Sequence, residues 1–264
     1  MLNSNQKLFS KNTKLNQILD DYALKYDSIS FLKDDPSMFL HLYNDAINIE
    51  IAGFIASLFS YGKRDLFINH LKSFLTVDKD LKSFILNFDE NDDFLKNFNY
   101  RFSKGVDFIQ VLKILNKIYS DNESIGSLFK YYYEQNCNIV AMMQGVIDYF
   151  YSNVSLNVTK GFYHLLPNPS NGGAMKRMNM LLRWFVRKSP VDIGIWNFID
   201  KSQLIIPLDV HVGNISRQIG LLNRRNNDMK SAIEITNNLK YFDSDDPVKY
   251  DFALFGIGVN GINL

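Results

Sequence analysis

Asp209 and Lys176 are the residues of this chain whose types and positions best support chemistry. Asp209 stands within the run from Ile206 to Val212 (Ile-Pro-Leu-Asp-Val-His-Val), where a helix is expected to begin. Lys176 lies 33 positions earlier, at the expected start of another helix. A neutral lysine amine is a nucleophile, and a nearby carboxylate can accept its proton or stabilise developing positive charge. The two residues therefore indicate amine chemistry.

Both residues also have a simpler structural interpretation. An aspartate at a helix start accepts backbone N–H bonds and contributes about 1 kcal/mol, and a lysine near a helix start is most simply a surface residue. Lys176 is unusual, however, because the positive end of a helix disfavours a cation and so favours the neutral, nucleophilic amine. Arg177, Arg183 and Arg187 are expected to act in the same direction.

Basic residues are concentrated upstream of Asp209, although the formal net charge of the chain is only +1. No Asp or Glu occurs between Asp148 and Asp192, while acidic residues gather elsewhere, as at 89–93. This segregation predicts either a basic binding face or simply a solvated helix surface. The basic residues of the acid-free stretch are Lys160, Lys176, Arg177, Arg183, Arg187 and Lys188.

Several classes of site are excluded by the residues present. Cys137 is the single cysteine, which excludes a cysteine-ligated zinc site or an iron–sulfur cluster. The chain contains no HExxH, GxGxxG, P-loop or GxSxG pattern, so we expect no metal and no cofactor. His211 is two residues from Asp209 and does not share its helix face, so we expect a structural role for it.

The hydropathy of the chain and its first residues predict where in the cell the protein is found. The start of the chain, from Met1 to Lys7, is followed by no apolar run typical of a signal peptide. No later stretch approaches about 18 uninterrupted apolar residues. We therefore expect a cytoplasmic protein without membrane contact, and a monomer.

Apolar residues recur at three- and four-residue spacing along almost the whole chain, which predicts an all-helical protein. Gly62 and Gly220 are expected to end helices, Ser124 to cap one, and Asp245 or Asp246 with Pro247 to begin the last. The expected helices cover 12–25, 48 to about 62, 63–75, 80–87, 106–119, 124–134, 138–151, 173–188, 191–200, 210–220, 228–239 and 247–256.

The segment around Asp209 resembles the aspartate-bearing motif of helix-hairpin-helix DNA glycosylases. Pro207-Leu208-Asp209-Val210-His211-Val212, continued by Ile215, Arg217 and Gly220-Leu221, follows that motif position by position. The motif reads proline, valine or leucine, aspartate, any residue, histidine and valine, then a helix that ends in Leu-Gly-Leu. The resemblance implies an all-helical fold of two lobes, whose cleft holds a damaged base and whose hairpin grips the DNA backbone.

The hairpin and the lysine-to-aspartate interval depart from the usual pattern. Leu166-Pro167-Asn168-Pro169 and the run from Asn171 to Lys176 replace the usual Leu-Pro-Gly-Val-Gly sequence. The longer interval is similar to that of the archaeal 8-oxoguanine glycosylase branch, which keeps the lysine and aspartate on a rearranged hairpin. Asp246 to Phe255 resembles the C-terminal segment of that branch, and Asp251 and Phe255 would be counterparts of residues lining its base pocket.

Nearly the whole chain, including Glu50 to Gly62 and Lys176 to Arg187, also resembles a bacterial family that carries a domain-of-unknown-function label and has been placed near these glycosylases. We therefore expect an all-α, two-lobed helix-hairpin-helix glycosylase-like fold with a variant hairpin. In this single unit of residues 1–264, one lobe would cover 48–160, and 1–47 with 161–264 would form the lobe carrying the hairpin and catalytic residues.

The function implied by the resemblance is a DNA glycosylase with lyase activity that excises a damaged base, such as 8-oxoguanine, from double-stranded DNA. Lys176 would attack the sugar C1′ and form a Schiff base assisted by Asp209, with Lys160 as the alternative nucleophile. The expected base-pocket residues are Asp251, Phe255, Trp184 and Phe185. The expected DNA-backbone contacts are Lys160, Arg177, Arg183, Arg187 and Lys188.

Two other functions remain open at this stage. A catalytically silent member would bind DNA or RNA through the same cleft. A helical protein-interaction module would have exposed aromatic patches and would hold Lys176 and Asp209 more than about 10 Å apart, beyond a water-mediated contact. The base excised, the opposite-base preference and the lyase step are not determined by the sequence.

Overall fold

The structure of the protein, a computed structural model, describes residues 13–121, 123–155 and 157–262. Within these ranges the regular elements are helices, and extended pairing is limited to isolated two-residue bridges. The prediction of an all-α protein is confirmed. The predicted character of residues 1–7 lies outside the described residues, as does Asn12, the expected first residue of the first helix.

The helices are numbered in chain order. They are α1 (Thr13–Tyr26), α2 (Ile29–Leu32), α3 (Ala46–Phe59), α4 (Arg64–Leu75), α5 (Leu81–Asn87), α6 (Asp93–Lys96), α7 (Gly105–Ser120), α8 (Ile125–Asn136), α9 (Ile139–Asn153), α10 (Lys160–Leu165), α11 (Lys176–Val186), α12 (Val210–Gln218), α13 (Met229–Leu239) and α14 (Asp251–Val259). Short 3-10 helices cover Pro36–Leu42, Pro169–Asn171, Lys201–Gln203 and Pro247–Tyr250.

The chain divides into two compact units. The first combines Met1–Lys33 with Gly172–Leu264, and the second is Asp34–Asn171. The boundaries expected from sequence, after 47 and after 160, therefore differ from those of the structure. One reason is the 3-10 helix Pro36–Leu42, which packs against α3 and buries Phe39 and Leu40 completely.

The second unit is built around α3. Asp45 caps this helix by accepting a hydrogen bond from the backbone N–H of Asn48 at 2.9 Å. Phe54 and Phe59 of α3 are fully buried and contact Phe150 and Phe108 respectively. A helix that is apolar on all sides needs such complete burial, and α3 therefore forms the core of its unit.

The first unit joins the two ends of the described chain. The α1 helix packs against α14, where a Cβ atom added at Gly256 would lie 2.2 Å from the ring of Tyr26. The Tyr250 hydroxyl donates a hydrogen bond to the carboxylate of Asp20 at 3.0 Å. The glycine thus permits close approach of the two helices, and a hydrogen bond holds their relative position.

The expected helix at 191–200 is wrong. This segment instead folds back on the last turn of α11: the backbone N–H groups of Ile193 and Trp196 donate to the carbonyls of Trp184 and Phe185, at 2.9 and 2.7 Å. The carbonyls at a helix end need such partners because no further helical turn supplies them. Residues 193–196 supply these hydrogen bonds, and their backbone N–H groups are therefore not used in a helix of their own.

Smaller differences concern helix ends. The helix expected at 173–188 begins only at Lys176, because Met175 adopts a left-handed conformation with φ +50°. The last helix is preceded by the 3-10 turn Pro247–Tyr250 and extends to Val259. Gly62 does not end α3, which stops at Phe59 with Ser60 as its C-cap residue. Among the described residues, no helix is long and apolar enough to cross a membrane.

Candidate active site

Asp209 is held at the start of α12 by an extended, buried approach. Ile206, Pro207 and Leu208 are buried, and the N–H of Ile206 donates to the Thr236 hydroxyl at 3.0 Å. One Asp209 oxygen, Oδ1, accepts the N–H of Val212 at 2.9 Å. Asp209 is therefore a helix cap, as its sequence position predicts, and this contact fixes the direction of its carboxylate.

The side chain of Asn227 also fixes the backbone of Asp209. The Asn227 amide donates to the Asp209 carbonyl at 3.1 Å, and its own oxygen accepts from Arg217 at 2.6 Å. A Cβ atom at Gly213 would lie 2.6 Å from the Asn227 side chain, so a glycine is needed at that position. The conformation at Asp209 is thus fixed by contacts from α12 and from the loop after it.

Lys176 is the first residue of α11, and the turn before it is tied to another part of the same unit. Gly173 forms an isolated bridge with Asp228, and the N–H of Met229 donates to the Gly172 carbonyl at 3.1 Å. The Asn179 amide donates to the Ala174 carbonyl at 3.0 Å and closes the first turn of the helix. Residues 172–175 therefore form a turn that is held by Asp228 and Met229 and that fixes the position of Lys176.

The two side chains meet in an ion pair. The Lys176 Nζ lies 3.2 Å from Asp209 Oδ2, the oxygen that does not bind Val212. The side chain of Lys176 is 37% exposed and that of Asp209 is 17% exposed. A partly exposed pair contributes little to stability, about 0 to 1 kcal/mol. It nevertheless puts an amine and a proton acceptor in direct contact at a surface that solvent reaches.

A buried ionic network lies deeper in the same unit. Arg183 Nε donates to Asp192 Oδ1 at 3.1 Å, and its Nη1 donates to Asp251 Oδ2. The Arg183 guanidinium also lies 4.2 Å from the ring centroid of Phe252, which is a cation–π contact. All three charged residues of this group are buried, so Asp192 and Asp251 both need cationic partners, and Arg183 is one that they share.

Arg187 extends the network by one turn of α11. Its Nη1 donates to Asp192 Oδ2 and its Nε donates to Asp246 Oδ1 at 2.8 Å, while its Nη2 lies 3.6 Å from Asp27 Oδ2. Asp246 is therefore an arginine partner, and it makes no side-chain cap for the following 3-10 helix. The positive charges of Arg183 and Arg187 are balanced by these carboxylates. The expectation that the two arginines favour a neutral Lys176 amine is therefore not supported.

Asp251 couples the network to the ion pair. Burial raises the pKa of the Asp251 carboxyl to about 6, although Arg183 beside it acts in the opposite direction. The Asp209 carboxylate raises this pKa further, while Lys176 lowers it. The three groups therefore share one electrostatic environment, and a change of charge at any of them alters the others.

Burial contradicts the predicted contact role of four residues. Arg183 and Arg187 are 5% and 4% exposed and are bonded to carboxylates, so neither can contact DNA phosphate in this structure. Trp184 and Phe185 are completely buried and cannot present a ring to a base. The alternation of basic and aromatic residues along α11 therefore belongs to the interior of the unit.

The remaining expected residues are divided between the two units. Arg177 is partly exposed and Lys188 is exposed in the unit that holds the ion pair, whereas Lys160 is exposed in the other unit. Phe255 is partly exposed, and its ring centroid lies 6.2 Å from that of His211. Sequence reasoning missed Asp192 and Asn227. The spacing of Arg183 and Arg187, four residues apart within an apolar helix, was a signal for buried carboxylate partners.

No group of three His, Cys, Asp or Glu side chains that could hold a metal ion occurs among the described residues. A family model described as a protein of unknown function (DUF2400) matches residues 35–260. The chain belongs to the DUF2400 family. No curated protein and no solved structure matches it. The DUF2400 match includes Lys176, Asp209 and Asp251, so the candidate site lies within the family's shared region.

Proposed function

We propose that this DUF2400 protein is a DNA glycosylase with lyase activity, in which Lys176 is the nucleophile and Asp209 its proton acceptor. The single observation that carries the proposal is the 3.2 Å contact between Lys176 Nζ and Asp209 Oδ2. The two residues come from helix starts that are 33 positions apart in sequence, and both belong to the segments that resemble the glycosylases. A protein-interaction module gives no reason for that contact.

The first chemical step follows from the contact. Asp209 accepts a proton from the Lys176 ammonium, and the neutral amine attacks C1′ of the deoxyribose. The bond between C1′ and the base breaks, its electron pair leaves with the base, and the base takes from Asp209 the proton that came from Lys176. Asp209 is then a carboxylate again, and, fixed by its contact with Val212, it stabilises the positive charge on the sugar and its attached nitrogen.

The lyase step continues from the same nitrogen. The electron pair of the C1′–O4′ bond moves to O4′, which takes a proton, while the nitrogen loses one and forms a Schiff base with C1′. A base then removes a C2′ proton, and the 3′ phosphate leaves with the electron pair of its C–O bond. Hydrolysis of the imine restores Lys176. A covalent intermediate of this kind divides one difficult reaction into easier steps.

Asp251 and Phe255 are the proposed contacts for the flipped base. Phe255 is partly exposed, unlike Trp184 and Phe185, which are completely enclosed. Asp251 is buried and bonded to Arg183, so its contact with a base requires this site to open when DNA binds. A carboxyl group whose pKa is about 6 can accept or donate a hydrogen bond near neutral pH. The proposed substrate is double-stranded DNA with an oxidised purine, such as 8-oxoguanine, because the segments around Asp209 and Asp251 resemble those of 8-oxoguanine glycosylases.

Borohydride trapping tests the proposal directly. Wild-type protein incubated with duplexes containing 8-oxoguanine, other lesions or an abasic site should form a covalent protein–DNA adduct on reduction. Lys176→Ala should abolish this adduct. Lys230→Ala is the matched control, since Lys230 is an exposed lysine near a helix start of the same unit and is not one of the expected DNA contacts. Lys160→Ala tests the alternative nucleophile. Peptide mapping of the adduct by mass spectrometry should identify Lys176 as the modified residue.

Two results would contradict the proposal. Absence of an adduct across the whole lesion panel, with binding of the same duplexes retained, favours the catalytically silent nucleic-acid-binding alternative. An adduct that persists in Lys176→Ala but is lost in Lys160→Ala assigns the nucleophile to the other lysine. Circular dichroism of each variant separates loss of chemistry from loss of fold.

A further inference from the structure

The second unit presents an arginine and a phenylalanine at the tip of a tight turn. The backbone N–H groups of Tyr100 and Ser103 each donate to the other residue's carbonyl, both at 2.9 Å. Arg101 and Phe102 occupy the two positions between them. The Phe102 side chain is 59% exposed, and the Arg101 guanidinium lies 5.7 Å from its ring centroid. A large exposed aromatic next to a cation is therefore held on a two-residue turn.

The backbone at this tip is strained. Arg101 has φ +51°, a left-handed conformation that residues with a side chain rarely adopt. Gly62 adjoins it, and a Cβ atom at Gly62 would lie 2.2 Å from Arg101 Nη1. Strain of this kind persists only where the surrounding structure fixes it, and it occurs preferentially at functional sites. The position of Arg101 is thus maintained against its own conformational preference.

Buried and aromatic contacts brace the turn. The Asp107 carboxylate is completely buried and accepts hydrogen bonds from the N–H groups of Lys104 and Thr159, at 2.8 and 2.7 Å. It also accepts from the Thr159 hydroxyl at 2.7 Å. The Phe102 ring lies 4.9 Å from that of His164. The turn is therefore fixed to α10 through Thr159, which caps its start, and through His164 in its last turn.

Three exposed lysines adjoin residues of the turn or residues in contact with it: Lys63 follows Gly62, Lys104 follows Ser103, and Lys160 precedes Gly161. Lys63, Lys104 and Lys160 are exposed and stand at the starts of α4, α7 and α10. Two aspartates lie near this surface. Asp65 is close enough to raise the pKa of Tyr100, and the carboxylate of Asp107 is buried and accepts hydrogen bonds from the protein itself. Positive charge predominates at this surface.

We propose that this surface, formed by Lys63, Arg101, Phe102, Lys104 and Lys160 and here named the Arg-Phe surface, binds a nucleic-acid strand at an unstacked base. Phe102 stacks on the base, and the cations contact flanking phosphates. Base stacking on an exposed aromatic is tolerant of sequence, and phosphate contacts supply affinity that depends on salt. The site lies wholly within residues 34–171 and does not rest on chemistry at Lys176.

Equilibrium binding of the full-length protein to a single-stranded oligonucleotide containing 2-aminopurine tests the stacking contact. Wild-type protein should quench the 2-aminopurine fluorescence on binding. Phe102→Ala should weaken affinity about tenfold, measured by fluorescence anisotropy, and remove the quenching. Tyr131→Ala is the matched control, because Tyr131 is a similarly exposed aromatic, at 61%, on α8 of the same unit. It should leave both signals unchanged.

The salt dependence tests the phosphate contacts. Lys104→Ala and Lys160→Ala should each lower the slope of log affinity against log salt by about 0.7, the value for one phosphate contact on a single strand. Lys130→Ala is the control, since Lys130 is exposed on α8 and pairs with Glu134. An unchanged slope in both lysine variants would overturn the phosphate assignment.

Arg101→Gly provides a variant that should fold normally. Glycine adopts the left-handed conformation without strain, so the melting temperature should be retained or raised while affinity for the oligonucleotide falls. Equal affinity in Phe102→Ala, Arg101→Gly and wild type, with 2-aminopurine quenching intact, would overturn the proposal. Because these are binding measurements, their outcome is independent of borohydride trapping at Lys176.

Discussion

Asp209 uses its two carboxylate oxygens for different contacts. Oδ1 caps α12 through Val212, while Oδ2 faces Lys176. The structural and chemical interpretations of this residue are therefore compatible, since each requires a different oxygen. The same division explains why sequence alone could not choose between them: a helix-capping pattern specifies one hydrogen bond and says nothing about the partner of the second oxygen.

Substitutions at Asp209 should separate the two roles. Asp209→Asn keeps an oxygen that can accept from Val212, so its free energy of unfolding should stay within about 0.5 kcal/mol of wild type, whereas Asp209→Ala should lose about 1 kcal/mol. Both variants should slow borohydride-trappable adduct formation by about 100-fold or more, because the proton acceptor is lost. Urea unfolding and single-turnover trapping check the two predictions, and full activity in Asp209→Asn would argue against proton transfer.

Asp251 should make stability depend on pH. Its pKa is about 6 in the folded protein, above the ordinary value of 3.8, so the folded state holds this proton over a range where the unfolded state releases it. The free energy of unfolding should therefore fall as pH rises from about 4 to 6, by up to about 3 kcal/mol at about 1.4 kcal/mol per pKa unit.

Asp251→Asn supplies the comparison for this pH effect. The amide does not titrate, so the stability of wild type relative to Asp251→Asn should decrease across the same pH range. Urea denaturation at several pH values between 4 and 7.5 measures this difference. A constant difference across the range would show that Asp251 titrates at the same pH in the folded and unfolded chains.

At the scale of helices, α11 carries two kinds of charged residue. Lys176 lies at its exposed start, and Arg183 and Arg187 lie in its buried second half. The helix therefore joins the candidate ion pair to an ionic interior. Sequence periodicity predicted the helix itself, but the acid-free stretch suggested a basic surface because the carboxylates that neutralise it come from elsewhere in the chain. Their sequence positions are Asp27, Asp192, Asp246 and Asp251.

Arg183→Met should be strongly destabilising. It leaves the buried carboxylates of Asp192 and Asp251 without a shared partner, and removing one member of a buried ion pair costs about 3 to 5 kcal/mol. Adding Asp251→Asn to this variant should recover part of the loss, because one uncompensated charge is removed. Lys188→Met, at an exposed position, should change stability by less than about 0.5 kcal/mol. Thermal and urea unfolding measure all three.

Helices with their own capping and periodicity were predictable, while segments shaped by distant contacts were not. Ser124 caps α8 and Asp209 caps α12, as their local sequences indicate. The segment 191–200 has helix-compatible residues, yet its backbone donors go to the end of α11. Similarly, Trp184 and Phe185 are aromatic residues next to basic ones, and only packing determines that they are interior.

At the scale of the whole molecule, the second unit is continuous in sequence and the first is not. Residues 34–171 contain their own apolar core, with Phe54, Phe59, Phe108 and Phe150 fully buried. A continuous unit with its own core should fold alone. We expect the isolated 34–171 fragment to be helical by circular dichroism and to unfold cooperatively, and a fragment of 172–264 without residues 1–33 to lack cooperative unfolding.

The pairing of α1 with α14 sets the order in which the protein can form during synthesis. The ribosome completes residues 34–171 early, and these can fold while later residues are still being added. The apolar face of α1, including Leu19 and Ala23, must wait for the arrival of residues 251–259. Asp251 can therefore join Lys176 and Asp209 only after residues 251–259 have been added, and until then α1 exposes a surface that a chaperone can bind.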